Sequence, residues 1–213
     1  MDHTNVSHQR WQDHRLFLSH FRKSPRTVGA IAPSSQRLAR TMLDGLHLPS
    51  GVRIVELGPG TGAVTGEIAR RLPDDAACLA IDINPDFSAR VGARWPQIES
   101  ICDRAERLVE IARVRGLLPI DHIISGLPFA SLPTATACAI VEAIVGALRP
   151  GGTFTTFQYA HAYGFSSAAA VRTTLTKSMR NRPSRSFVVG NLPPALVLRW
   201  TKSDSVDSQR DAA

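Results

Sequence analysis

The chain has 213 residues, 43% of them apolar, and its 25 Lys and Arg against 18 Asp and Glu leave a formal net charge of +7. That length buries one sizeable core and leaves little for a second domain. Three cysteines, Cys78, Cys102 and Cys138, are widely spaced in apolar segments, which excludes a disulfide-stapled scaffold and predicts buried, reduced thiols in a cytosolic protein. No histidine and cysteine stand at ligand spacing, so no metal site is expected.

In chain order, the first nine residues are polar and predict no regular structure. From Trp11 to Phe21, the residues Trp11, His14, Phe17, Leu18 and Phe21 fall on one face of a helix closed by Arg22 and Lys23. Such a stripe bordered by cations fits an interfacial helix inserted among acyl chains, and equally a helix packed as a lid over the fold. Ser34 and Ser35 precede the periodic run Leu38, Met42, Leu43 and Leu46, which predicts a capped helix. Hydroxyls at that helix start also suit the carboxylate of a ligand.

Next comes Ile54-Val55-Glu56-Leu57-Gly58-Pro59-Gly60-Thr61-Gly62, a short apolar run containing an acid and then three alternate glycines. It reads as a strand that delivers a nucleotide-like ligand onto a glycine turn, with a helix opening near Gly62. Gly58-x-Gly60-x-x-Ala63 also satisfies the dinucleotide fingerprint, so a nicotinamide or flavin enzyme stands as the rival reading. Glu56 favours S-adenosylmethionine (SAM) as cofactor, because a carboxylate there attracts an ammonium and a sulfonium and repels a pyrophosphate.

Leu79-Ala80-Ile81-Asp82 is a second strand ending in an acid twenty residues beyond Gly62, which makes Asp82, with Ile83 after it, the candidate for the ribose hydroxyls. Ile98 to Asp103 predicts a third strand and Asp121 to Ser125 a fourth, followed by Gly126-Leu127-Pro128-Phe129. A helix is expected from about Ala135 to Leu148, interrupted by Glu142 and too short to span a bilayer. A turn at Arg149-Pro150-Gly151-Gly152 leads to a fifth strand from Thr153 to Tyr159. A helix over Ser166–Met179 and a closing pair, Ser186–Val189 and Ala195–Trp200, complete the pattern. Strands and helices alternating at this pace predict a parallel sheet with helices on both faces. We divide the chain into a helical extension over 1–45, a SAM-binding domain over 46–202 and a disordered tail over 203–213.

The order of elements is similar to the class I SAM-dependent methyltransferase (Rossmann-like) fold, with seven mostly parallel strands of which the last enters antiparallel. Several motifs narrow the likeness. Phe17-Leu18 with Phe21, Val28-Gly29-Ala30-Ile31-Ala32-Pro33-Ser34-Ser35, Leu38-Ala39 and Val55 to Gly62 resemble the bacterial phospholipid N-methyltransferases that convert phosphatidylethanolamine towards phosphatidylcholine. So do Ser125-Gly126-Leu127-Pro128-Phe129, Leu148 to Gly152 with Gln158-Tyr159, and Asn191-Leu192-Pro193-Pro194-Ala195. Ala160–Phe165 and the Ala/Ser/Thr-rich helix after it depart from that pattern.

The resemblance implies adenine contacts from Asp103, Arg104 and Ala105, with Ser125 beside the cofactor; Asp103 also suits the cap of a following helix, a purely structural role. In-line methyl transfer asks mainly for positioning and for an unprotonated amine. A backbone carbonyl near Gly126–Leu127 is the candidate for orienting that amine, Phe129 for one wall, and Tyr159 and His161 for the proton or head-group phosphate. The implied partners are a phospholipid substrate and an anionic membrane, and the implied place is the cytoplasm, peripheral at the inner face of the membrane.

Charge agrees with an anionic partner. Residues 1–40 carry seven Lys and Arg against two acids, 41–171 carry ten against thirteen, and 172–202 carry seven against none. Structured RNA is a second reading, but the chain has Ser-Gly-Leu-Pro-Phe where adenine N-methyltransferases have Asn-Pro-Pro-Tyr-like motifs. A methyltransferase of small amines is a third, and a protein that binds SAM and membranes without turnover is a fourth.

Overall fold

The structure, a computed structural model, describes residues 33–189, 191 and 193–204. The interfacial helix expected over Trp11–Phe21, with Trp11, Phe17, Leu18, Phe21, Arg22 and Lys23, lies outside the described residues, as does the tail from residue 205. Ser34 and Ser35 belong to the first described helix, and nothing is described of their side chains.

Among the described residues, seven strands and six helices follow in order: α1 (Pro33–Leu43), β1 (Arg53–Leu57), α2 (Ala63–Arg71), β2 (Ala77–Asp82), α3 (Pro85–Arg94), β3 (Glu99–Cys102), α4 (Leu108–Val114), β4 (Ile120–Ser125), α5 (Thr134–Ala147), β5 (Leu148–Tyr159), α6 (Ser166–Met179), β6 (Ser184–Val188) and β7 (Ala195–Thr201). The sheet order is β3-β2-β1-β4-β5-β7-β6, with β7 antiparallel to both its neighbours and the other pairs parallel. This is the expected Rossmann-like sheet with its antiparallel last strand. The central strands are covered on both faces, which is why β1 and β4 are buried at all but one position each, the polar Glu56, His122 and Ser125 included.

One face of the sheet carries α4, α5 and α6 through Leu108, Ile111, Ile140, Ile144, Leu175 and Met179. The other carries α1, α2 and α3 through Leu38, Met42, Leu43, Ile68 and Val91. Each fully buried Leu, Ile or Met side chain contributes about 1.5–3 kcal/mol. Helix α1 thus packs into the core through Leu38, Met42 and Leu43.

Local chemistry sets the helix ends. The Asn84 side chain accepts the backbone N–H of Asp86 and Phe87 and Pro85 opens the first turn, so α3 starts on a firm cap. The two cations of the β7 end cap helices on opposite faces: Arg199 donates to the Met42 and Asp44 carbonyls at the end of α1, and Lys202 Nζ to the Val145 and Leu148 carbonyls at the end of α5.

Three expectations change. β5 begins at Leu148 rather than Thr153, because the Arg149–Gly152 segment pairs into the sheet through a register shift opposite Ile120 and His122. Only Cys78 is buried; Cys102 ends the edge strand β3, and Cys138 lies on the outer face of α5, whose Ala137, Ile140 and Val141 point inward. The start of the tail is tied down, since Ser203 N–H donates to the Met179 carbonyl.

Candidate functional site

The site forms where the strand order reverses, between β1 and β4, at the carboxyl ends of the strands. Backbone bonds bind the loops there to neighbouring strands. Gly58 N–H donates to the Ile81 carbonyl at 2.8 Å, Asp103 N–H to the Asp82 carbonyl at 3.1 Å, and Gly126 N–H to the Leu57 carbonyl at 2.8 Å. A cavity of about 210 Å³ lies over this junction.

Asp82 stands at its centre. One carboxylate oxygen accepts Gly60 N–H at 3.0 Å and the other Asn84 N–H at 2.8 Å, so the side chain both closes the glycine loop and keeps lone pairs for further donors. Burial raises its pKa while those two N–H bonds pull it back down. The walls beside it are apolar, from Ile83, Ala105, Leu127, Leu132 and Ile140. Asp103 closes one end with its carboxylate held by Arg104 N–H and Arg107 Nη1, each at 2.7 Å. It caps no helix: Arg104 occupies that position before the 3₁₀ turn Ala105–Arg107.

Glycine is required here for two reasons. A Cβ on Gly126 would lie 2.6 Å from the Gly58 carbonyl oxygen, and one on Gly62, whose φ is 86°, would lie 2.3 Å from the Trp95 ring. Gly60, also at positive φ, would meet nothing within 4 Å, and so keeps open space beside Asp82.

Glu56, on β1, does not line the cavity; it is 1% exposed and accepts the Thr65 hydroxyl at 2.7 Å. Burial, reinforced by the nearby Asp82 charge and opposed by the Thr65 bond, pushes its pKa up to about 8. A carboxyl in that condition ionises readily only when a cation arrives beside it.

Gly58, Gly60, Asp82, Ile83, Asp103, Arg104, Ala105, Gly126 and Leu127 therefore come together around one cavity. Others do not line it. Gly62 opens α2 against Trp95, Thr61 is exposed in the loop, and Ser125 is fully buried, with its hydroxyl accepting Leu127 N–H. Phe129 was expected as an acceptor wall; its ring is 3% exposed and packs edge-on against Phe154 at 6.1 Å, which makes it a core residue. Tyr159, the last residue of β5, and His161 just after it stack at 5.8 Å, the histidine exposed and the tyrosine also edge-on to Phe157. The Leu127 carbonyl is engaged by Phe129 N–H, which leaves the Gly126 carbonyl without a donor among the described residues.

Sequence reasoning missed Thr136 and Ile140 on α5, Phe87 on α3, and the ring of Trp95 against Gly62 and Gly66. Thr136 and Ile140 are four apart and face one way, but the same spacing describes any core helix. Nothing in the sequence marks Trp95.

The residues present fit SAM. An apolar slot suits a purine, a carboxylate with free lone pairs suits vicinal hydroxyls, and the buried acid beneath the loop suits a cation. Among the described residues, no group of three His, Cys, Asp or Glu is arranged to hold a metal ion.

Comparison with known proteins agrees. A family model for a methyltransferase domain matches residues 54–152. The chain is 31% identical over 146 residues to ornithine lipid N-methyltransferase of Singulisphaera acidiphila, covering 67% of this chain and 76% of that protein. Among solved structures, N-methyltransferase NodS from Bradyrhizobium japonicum superposes with a TM-score of 0.63 at 16% identity, over 82% of this chain and 99% of that one. The 1,6-didemethyltoxoflavin-N1-methyltransferase of Burkholderia thailandensis gives 0.63 at 16% identity, over 96% and 92%. At these identities the structures speak for the fold, and the curated relative for the family. With the switch-point cavity, the glycine loop and its two buried acids, these likenesses lead to one conclusion: the chain belongs to the class I SAM-dependent methyltransferases.

Proposed function

We propose that the protein methylates the amine of a membrane lipid of the phosphatidylethanolamine type, in one or more steps towards a quaternary head group. The observation that carries this reading is the likeness, across two thirds of the chain, to a protein named for methylating a lipid amine. The Ser125–Phe129 motif and the cation-rich segment 172–202 support it.

In this reading Asp82 accepts the ribose hydroxyls, Ile83, Ala105, Leu132 and Ile140 enclose the adenine, and Glu56 balances the positive end beneath the Gly58–Gly62 loop. Ser34 and Ser35, at the start of α1, contribute hydroxyls to the cofactor's carboxylate. When bound, SAM supplies a methyl group on an electron-poor sulfur. The chain has to present a neutral amine to it and keep water away. The Gly126 carbonyl, without a donor among the described residues, accepts an N–H of the amine and so fixes its lone pair. Leu127 and Leu132 shield that point from solvent. Tyr159 and His161, at the end of β5, receive the released proton or hold the head-group phosphate. The Trp11–Phe21 helix and the basic segments hold the enzyme against an anionic membrane.

A second acceptor is favoured by one observation: the relative just described is named for ornithine lipid, whose amine lies on an amino-acid head group. Both readings are tested by expressing the chain in a bacterium that makes phosphatidylethanolamine and neither phosphatidylcholine nor ornithine lipid, then following lipid masses. Mono-, di- or trimethylated phosphatidylethanolamine is the expected product. If none appears while the purified protein methylates added ornithine lipid, the second acceptor replaces the first; methylation of a soluble amine alone overturns both.

A further inference from the structure

Among the described residues four large apolar side chains stand exposed, and three of them, Phe165, Phe187 and Val189, belong to one corner of the fold. Phe165 opens α6 just beyond the end of β5. Val188 pairs with Ala195, which pairs with Tyr159, so β6 also finishes at the carboxyl end of the sheet. Ala160 N–H donates to the Pro194 carbonyl and joins the two segments there. The fourth exposed residue, Val114, ends α4 on the far side of the sheet order.

Strand β6 is the sheet edge, with β7 its one neighbour. Arg185 and Phe187, two apart, share a face of it. The Arg185 guanidinium lies 6.0 Å from the Tyr163 ring centre and that of Arg172 3.9 Å from the same ring, which brings the turn before α6 against this strand. Arg185 is exposed and forms no ion pair among the described residues; Lys177, Arg180 and Arg182, also exposed, lie before the start of β6, at the other end of the strand, and the segment 172–202 holds no acid at all.

We propose that this corner is a docking face for an anionic phospholipid bilayer, distinct from the Trp11–Phe21 segment that the sequence predicts to be an interfacial helix. The proposal rests on the lipid-acceptor reading. Phe165, Phe187 and Val189 enter the boundary between head groups and acyl chains, while Arg185, two residues from Phe187, pairs with lipid phosphate. Charge decides the occupant. A second copy of the chain would set the same cations against one another across a two-fold axis, and an RNA strand gains nothing from the aliphatic Val189. Docking by this face turns towards the bilayer the same end of the sheet that carries the cavity.

The test is flotation of the full chain with phosphatidylcholine vesicles prepared with and without phosphatidylglycerol, for the unmodified protein and two variants, Phe187→Ser/Val189→Ser and Arg185→Glu. The unmodified chain is expected to bind only vesicles containing phosphatidylglycerol, and less as salt rises. Each variant should lower partitioning by about tenfold or more, and the charge reversal should also flatten the salt dependence. SAM affinity by calorimetry should stay unchanged in both, which separates lost docking from lost folding, and Arg185→Lys should restore binding. Unchanged partitioning in both variants overturns the proposal. So does displacement of the protein from vesicles by an RNA oligonucleotide through these same residues, or a lipid-free dimer that the variants split. Methylation of a detergent-dispersed lipid amine is read alongside: its absence with intact docking counts against the acceptor alone, and its persistence with unaltered docking in the variants counts against this face alone.

Discussion

The two sides of β4 follow opposite electrostatic rules. Towards β3 the functional groups are acids, each wrapped in donors: Asp82 holds two backbone N–H groups, Glu56 a hydroxyl, and Asp103 a guanidinium and an N–H. Towards β6 the charges are cations, and they divide into two kinds. Arg199 and Lys202 are fully engaged as helix caps and Arg172 is held by Gln158, whereas Lys177, Arg180, Arg182 and Arg185 face solvent. The cofactor side is thus a pre-organised lattice in which removing one group disturbs several, and the outer side is a set of separable contacts. A net charge counted along the sequence cannot distinguish a basic residue that builds the scaffold from one that meets a partner.

Four substitutions break or sharpen this contrast. The largest effect is expected at the junction. Phe129→Ala empties a core position against Phe154 and should cost about 3–5 kcal/mol in denaturant unfolding. A nearly unchanged midpoint with a fall in lipid turnover alone would return Phe129 to the acceptor wall and move the boundary between the two sides. Next comes Asp82→Ala, which frees the Gly60 and Asn84 N–H groups as well as removing an acceptor for the ligand. SAM affinity by calorimetry should weaken by about 1.5–3 kcal/mol, and equal affinity, or tighter binding of NAD than of SAM, would refute the assignment.

Glu56→Gln tests whether the cofactor side carries a stored electrostatic cost. The Glu56 carboxyl is raised from 4.5 to about 8, so across that interval the folded protein keeps a proton that the unfolded chain has released. Its contribution to stability is therefore full below about pH 4.5 and declines as pH rises towards 8. Glutamine keeps an oxygen for Thr65 and does not titrate, so thermal melting of the ligand-free variant should fall less steeply across that range than melting of the unmodified protein, while SAM binding weakens. Parallel slopes would show that Glu56 is not the group responsible. The smallest effect belongs to the outer side: His161→Ala removes an exposed ring stacked on Tyr159 and should change stability by no more than about 0.5 kcal/mol, with SAM affinity unmoved. A lowered kcat/KM for the lipid would place that ring at the acceptor, and a loss of SAM binding would join it to the cofactor side.

The sequence by itself determined the alternation of strands and helices, the glycine loop and the acid at the end of each of the first two strands, because these depend on short-range constraints: apolar runs of strand length, positive φ at Gly58, Gly60 and Gly62, and a carboxylate close before a turn. It also disclosed α6 at about its observed limits, Ser166–Met179, within a run free of Gly and Pro from Phe165 to Arg182. Tertiary structure decided the rest. Phe129 and Ser125 flank the cavity-lining residues in sequence, and only packing against Phe154 and Leu127 N–H turned them inward. Trp95, thirty-three residues from Gly62, reaches it because α2 and α3 pack on one face of the sheet, a contact that no local pattern encodes. The same holds for the cations of β7 and β6. Whether an arginine closes a helix or waits in solvent depends on which carbonyls the fold brings within about 3 Å of its guanidinium, and that distance exists only once the sheet order has formed.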